Sequence, residues 1–377
     1  MNVLFVSGHP AQVHNFRLVR NELLKHGHQV FWLTTKKDIA TNLLDIYNIP
    51  YEIYRKPKKT SISQLMALVY NTWHAMRFIY THKIDITISR TAPYSSLACF
   101  IMRRKHIIID DTEHAAMSIR QKPFAKMGSA IVVPSCFWYK LSKIQLSFAG
   151  NIELFYLHPN RFAVDKESVY RLLNLPMNTK YVLVRFVQWD AYHDVHLKGG
   201  FPIISKIELV HRLSKYVKVF ISSESELPTE LEPYRIQIPI ERMHEVQACA
   251  SLFVGESATM ASESVVLGTP AIYVDEIGRG YTDDEACASL LWMCRPVSDK
   301  TYLSPQEPTY ILGGIKECIE KAEEIVLSFD QDAYKQRHAA WLTTKIDCTA
   351  WFTWFIENFP QSERIMRQNP DYQYRFK

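Results

Sequence analysis

Two short stretches of this 377-residue sequence gather groups that do chemistry. The first is Asp110-Asp111-Thr112-Glu113-His114, three carboxylates and an imidazole directly after the apolar run 106–109. At a strand's carboxyl end such groups suit proton transfer, or a divalent cation. They read equally as a helix start whose acidic residues offset the helix dipole. The second stretch is FVGESATMASESVVLGTPAIYV at 253–274. Gly255, Ser257, Ala258 and Thr259 sit where a strand turns into a helix predicted over 260–267. Small residues there leave backbone N–H groups open, and with the helix dipole these form a site for an anion. Glu263 would repel a phosphate that it faced, and suits vicinal hydroxyls such as those of a ribose. A tightly packed βαβ turn with a surface Glu fits the same residues.

Two further groups stand out. His9 and His14 flank the first strand-to-helix turn, and an imidazole there can accept a proton from a hydroxyl near neutral pH. His14 has the better placing, because it opens the helix expected over 15–24, although a cap or a satisfied polar histidine is the plain alternative. Arg185, His193, Asp194, His196 and Lys198 follow the first strand of the second half. Arg185 has the fork for a bidentate contact with phosphate, and Lys198 adds a second positive charge. A zinc site on His193 and His196 lacks a third ligand, so no metal is expected.

The elements that must position these groups follow a simple rhythm. The apolar run 2–7 ends at Gly8, helical spacing over 16–24 stops at His26-Gly27-His28, and a β-branched and aromatic run covers 29–34. Strand, helix and strand in that order mark a parallel sheet. Strands are then expected over 84–89, 106–109 and 130–134, with a helix over 95–102. A second series places strands over 181–187, 217–222, 252–254 and 271–274. Long helices are expected over 315–329 and 331–359. The fold class is α/β, with two doubly wound Rossmann-like domains facing a cleft and ligands at the carboxyl ends of the strands. The loop-like segment 157–164 separates them. The expected domains are 1–164, 165–340, and a C-terminal helix and tail, 341–377, docking on the first. Trp351, Phe352, Trp354, Phe355, Ile356 and Phe359 lie at helical spacing in that tail and read as its docking face rather than a membrane contact.

Composition excludes other classes. The chain is 47% hydrophobic and 22% charged, which is globular rather than disordered. Seven scattered cysteines without a CxxC pair imply reduced thiols, hence a cytoplasmic protein. There is no basic leader and no apolar run of the ~20 residues that a membrane span needs. Charge is uneven: residues 1–162 hold 21 Lys+Arg against 9 Asp+Glu, and the remainder 23 against 30. The basic half is an ordinary solvated face, or a surface for an anionic acceptor or the inner membrane face. No nucleic-acid partner is expected.

Four segments carry a family resemblance. HPAQVHNFRLVRNELLKHGHQV (9–30), IDDTEHA (109–115), VRFVQWDAYHDVHLKGG (184–200) and GESATMASESVVLGTPAIYV (255–274) resemble, in order, an uncharacterised bacterial and archaeal family, domain of unknown function 354. The last segment also resembles the nucleotide-binding segment of GT-B glycosyltransferases and of non-hydrolysing UDP-N-acetylglucosamine 2-epimerases. The resemblance implies a GT-B-like fold whose C-terminal helix crosses back to the first domain. It implies a nucleotide sugar, uridine-linked, as substrate and no cofactor. The implied activity is sugar transfer to a polysaccharide or lipid-linked acceptor; a UDP-sugar 2-epimerase-type isomerase and a non-catalytic nucleotide-sugar-binding protein are the alternatives. His14 and Glu113 would be catalytic. Arg185, His193 and Lys198 would meet the diphosphate, together with Gly255, Ser257, Ala258 and Thr259, and Glu263 would take the ribose. Two departures are visible. Related loops often carry paired glycines where this chain has Glu256 and Ala258, and the epimerase glutamate is followed by Ala-Gly where Glu113 precedes His114-Ala115.

Overall fold

Short runs of β-branched and aromatic residues pair side by side because only a sheet buries both of their faces. The computed structural model describes residues 1–35, 38–54, 61–90, 92–113, 122–186, 201–223, 226–275, 278–295 and 311–377. The chain divides into two units, Met1–Tyr156 with Lys345–Lys377, and Leu157–Thr344. The first break therefore falls ahead of the loop-like segment 157–164, not after it as expected, and the return begins at Lys345 rather than 341.

The first unit holds seven strands: β1 (Asn2–Ser7), β2 (Gln29–Thr35), β3 (Glu52–Tyr54), β4 (Ile86–Ser89), β5 (Lys105–Ile109), β6 (Ala130–Pro134) and β7 (Gln145–Phe148). They form one sheet in the order β3-β2-β1-β4-β5-β6-β7, and every pairing is parallel. The order reverses between β1 and β4, which opens a crevice at their carboxyl ends. Helix Pro10–Lys25 follows β1, capped by His9, whose Nδ1 accepts from the Ala11 N–H at 3.3 Å. Helix Ser61–Thr81 lays Ala75, Phe78 and Ile79 over Leu4 and Val6 of β1 and Leu33 of β2.

The C-terminal segment completes this unit. The single helix expected over 331–359 is two helices, Gln331–Thr343 and Cys348–Glu357. Asp347 caps the second by accepting from the Ala350 N–H at 3.0 Å, and the chain passes from one unit to the other at this break. Trp351 stacks on Phe148 at 5.4 Å between ring centroids, and Phe352 meets Phe155 edge-on. Glu357 meets His26 and His28 at 2.7 and 3.0 Å. The aromatic tail is thus core of the first unit.

The second unit holds β8 (Tyr181–Arg185), β9 (Lys218–Ser222), β10 (Leu252–Gly255), β11 (Ala271–Val274), β12 (Leu291–Cys294) and β13 (Ile311–Leu312). These too are parallel, in the order β13-β12-β11-β10-β8-β9. The order reverses between β8 and β10. Cys294, ending β12, is disulfide-bonded to Cys318 of helix Ile315–Ser328, with Cα atoms 5.9 Å apart. This corrects the expectation of seven reduced thiols: residues far apart in sequence meet where a helix packs on its sheet. Among the described residues no helix is long and apolar enough to cross a membrane.

Candidate functional site

In the second unit the switch point is made by Arg185 and Gly255, which face each other in register at the ends of β8 and β10. A Cβ at Gly255 would run into the Arg185 carbonyl oxygen. The same oxygen accepts from the Glu256 N–H at 2.9 Å. Gly255 is therefore demanded by the close approach of two strands, a reason that precedes any ligand. Helix Ala258–Val266 begins immediately after it. Ser257 is its N-cap and accepts from the Met260 N–H at 3.3 Å, so Ala258 and Thr259 occupy the first turn, where N–H groups have no intrahelical acceptor. The helix starts two residues earlier than expected. It ends in a Schellman arrangement, with Gly268 at φ +85° and Thr269 N–H donating to the Ser264 carbonyl at 2.8 Å.

Three side chains surround this turn. Arg185 donates to Ser222 Oγ at 3.2 Å, which aims its guanidinium along the carboxyl edge of the sheet. Glu256 accepts from the Phe201 N–H at 3.0 Å and pairs with buried Lys206 at 3.2 Å. Lys206 also lies over the Phe186 ring at 5.1 Å. Glu256 thus ties the turn to the start of helix Ile203–Leu213. Glu263 is 5% exposed, and its Oε1 is 3.0 Å from His244 Nε2. The alternative of a surface Glu is corrected: Glu263 is buried, and its partner His244 comes from helix Met243–Cys249, which packs on helix Ala258–Val266. His193 and Lys198, with Asp194 and His196, lie outside the described residues.

In the first unit the carboxyl ends of β4 and β5 carry a charged cluster. Arg90 bonds Asp110 Oδ1 at 2.6 Å and Thr112 Oγ1 at 2.9 Å, and is paired with Asp111. Burial alone would lower the Arg90 pKa, but the two carboxylates outweigh it and raise it. Asp110 Oδ1 also accepts from the Asp111 and Thr112 N–H groups at 3.0 and 3.3 Å. Two of the three carboxylates are therefore committed to one guanidinium and to the turn itself. Glu113 begins the next turn and is 1% exposed. His114 lies outside the described residues. His14 does not open its helix but lies a turn inside it. It is 7% exposed, with its ring 5.9 Å from Tyr47 and 5.5 Å from Tyr156. Among the described residues no group of three His, Cys, Asp or Glu side chains gathers to hold a metal.

Several participants were not apparent from the sequence. Arg90 has a faint signal, a lone cation at the end of an apolar run. His244 and Lys206 have none, since each meets its partner from a different helix. His106 on β5 is fully buried with Nε2 2.8 Å from Ser89 Oγ.

No protein-family model matches the chain, and no curated protein matches it in sequence. Solved structures do match in fold. A Staphylococcus aureus MnaA–UDP co-structure aligns with a TM-score of 0.64 at 10% identity, covering 96% of this chain and 97% of that one. A UDP-GlcNAc 2-epimerase from Neisseria meningitidis bound to UDP-GlcNAc gives 0.59 at 12% identity, with 90% and 94% covered. Acinetobacter baumannii MurG gives 0.57 at 13% identity, with 95% and 99% covered. Two parallel doubly wound sheets, a last segment that returns to the first unit, and alignment over nearly the whole chain establish one architecture: the protein has the GT-B fold.

Proposed function

We propose that the protein is a GT-B enzyme that binds a uridine-linked nucleotide sugar at the turn Gly255–Thr259 and transfers the sugar to a polysaccharide or lipid-linked acceptor. The carrying observation is the switch point of the second sheet. There a helix N-terminus with small residues, Ala258 and Thr259, follows Gly255, whose register partner at the end of β8 is Arg185. Backbone N–H groups and an arginine can neutralise a leaving diphosphate without a metal. Fold neighbours with UDP or UDP-GlcNAc bound support the choice of nucleotide. Glu263 reads the ribose in this proposal, with His244 as its buried partner.

Glu113 and His14 are the candidates for proton transfer in the first unit. Asp110 and Asp111 pair with Arg90, and Glu113 is the buried third carboxylate of that cluster. The fold neighbours support transfer and 2-epimerase-type isomerisation alike, and we take transfer as the first reading. The isomerase remains the second reading, because the fold neighbours include epimerases. Product analysis separates the readings. A transferase releases UDP only with an acceptor present, an isomerase converts the sugar without one, and a binding protein does neither. Glu113→Gln should lower turnover ~10²–10⁴-fold with nucleotide affinity kept. Wild-type turnover in both Glu113→Gln and His14→Ala would refute the assignment.

A further inference from the structure

Helix Ser61–Thr81 has the reverse of the usual arrangement on its solvent side. Its inner face, Ala67, Asn71, Ala75 and Phe78, is buried on the sheet. The opposite face carries Leu65, Met66, Val69, Tyr70, Trp73 and Tyr80, which recur at helical spacing and are 44–76% exposed. A surface helix ordinarily presents charge there. The whole helix contains one charged residue, Arg77, which stands by the Trp73 ring at 5.8 Å, and no carboxylate. Helix Pro93–Ile101 packs beside it and adds exposed Phe100 and Ile101. Scattered exposed apolar residues need no explanation, but a contiguous stripe of this size marks a surface that meets something.

The surroundings say what. Both helices end in exposed cations, Lys83 after the first and Arg103, Arg104 and Lys105 after the second. Lys83 and Arg103 adopt positive φ at the helix ends, +50° and +54°, so the chain turns sharply where these exposed cations follow the two helices. Arg55, Lys56, Lys58 and Lys59 precede the first helix in the sequence. The first unit as a whole holds 25 Lys+Arg against 13 Asp+Glu, whereas the second holds 19 against 26. An apolar stripe with tyrosine and tryptophan, bordered by cations, is complementary to a bilayer surface with anionic headgroups.

We propose that the outward face of helix Ser61–Thr81, with Phe100 and Ile101, seats the first unit on an anionic membrane surface. The helix lies along the interface and does not span it. The aromatic and aliphatic side chains enter the headgroup boundary, while Arg77, Lys83, Arg103 and Arg104 pair with lipid phosphates. This inference rests on the exposed face alone and stands apart from the nucleotide site.

The test is co-sedimentation of the full chain with vesicles of phosphatidylcholine, with and without phosphatidylglycerol. The wild type should bind the anionic vesicles and weaken as salt rises. Val69→Gln with Trp73→Ser should reduce binding ~10-fold or more at every salt concentration. Arg103→Ala with Arg104→Ala should weaken binding to the anionic vesicles by ~5-fold per charge. Because all four positions are exposed, melting temperature should hold, and unchanged UDP binding would confirm it. Absence of wild-type binding at low salt overturns the proposal, as does equal binding by the Val69 and Trp73 variant. So does a wild-type dimer that this variant converts to monomer while neither binds vesicles, which would make a second copy of the chain the occupant.

Discussion

At position 263 a carboxylate is buried against an imidazole, which changes what a substitution there must do. Glu263→Ala leaves His244 facing a void, and a buried polar group that loses its partner costs about 1–3 kcal/mol. The melting temperature should fall, and UDP affinity should fall ~10-fold or more. Wild-type protein should also distinguish UDP from its 2′-deoxyribose analogue in calorimetry, and Glu263→Ala should not. Undiminished discrimination in the variant would remove the ribose role. A second buried histidine sets a pH limit. Burial holds the His106 pKa down at about 4, below its ordinary 6.5. The unfolded chain takes up this proton near pH 6.5, and the folded chain refuses it until about pH 4. Its contribution is therefore complete above pH 6.5 and is lost as pH falls toward 4, about 3 kcal/mol in all. Urea unfolding across that range should show the slope, and His106→Gln should flatten it. The acidic cluster at 110–114 was plain in the sequence, but Arg90 was not assigned to it. Pairing between the ends of β4 and β5 is a property of strand order, which a single sequence does not display. The His244–Glu263 contact escaped notice for the same reason.

A strand that ends in Gly255 illustrates how one residue decides an element. Gly255→Ala would push β10 away from the Arg185 carbonyl, and overpacking against fixed backbone costs about 1–3 kcal/mol. Denaturation followed in the second unit should show that loss, and unchanged stability would mean that the strands part freely. β1, β6 and β11 were readable at their observed bounds, because apolar runs there are closed by turn residues. β3, β7, β12 and β13 went unread, and in β3 and β13 two or three residues carry too little alternation to betray a strand. Helix Ser61–Thr81 gave no amphipathic signal, since it is apolar on its outer face as well as its inner one. The interrupted helix over 331–359 was hidden because helical spacing continues on both sides of the Asp347 cap.

Over the whole molecule, charge separates by unit, positive in the first and negative in the second, with the last 33 residues, Lys345–Lys377, belonging to the basic one. The two-sheet GT-B architecture was legible because each sheet repeats the strand-helix rhythm, whereas the Cys294–Cys318 bridge depends on packing that no spacing rule conveys. A ligand that binds only the folded second unit must stabilise it, by about 2.7 kcal/mol at a hundredfold excess over Kd. The most direct test of the account is calorimetric titration of UDP into wild-type protein and Thr259→Glu. A carboxylate in the first turn of helix Ala258–Val266 favours the helix by about 0.3–1 kcal/mol, yet it places negative charge where the diphosphate is proposed to sit. The account predicts that wild type binds UDP, and that Thr259→Glu melts no lower while binding at least ~10-fold more weakly. Binding by Thr259→Glu equal to wild type, or no binding by wild type, would contradict it.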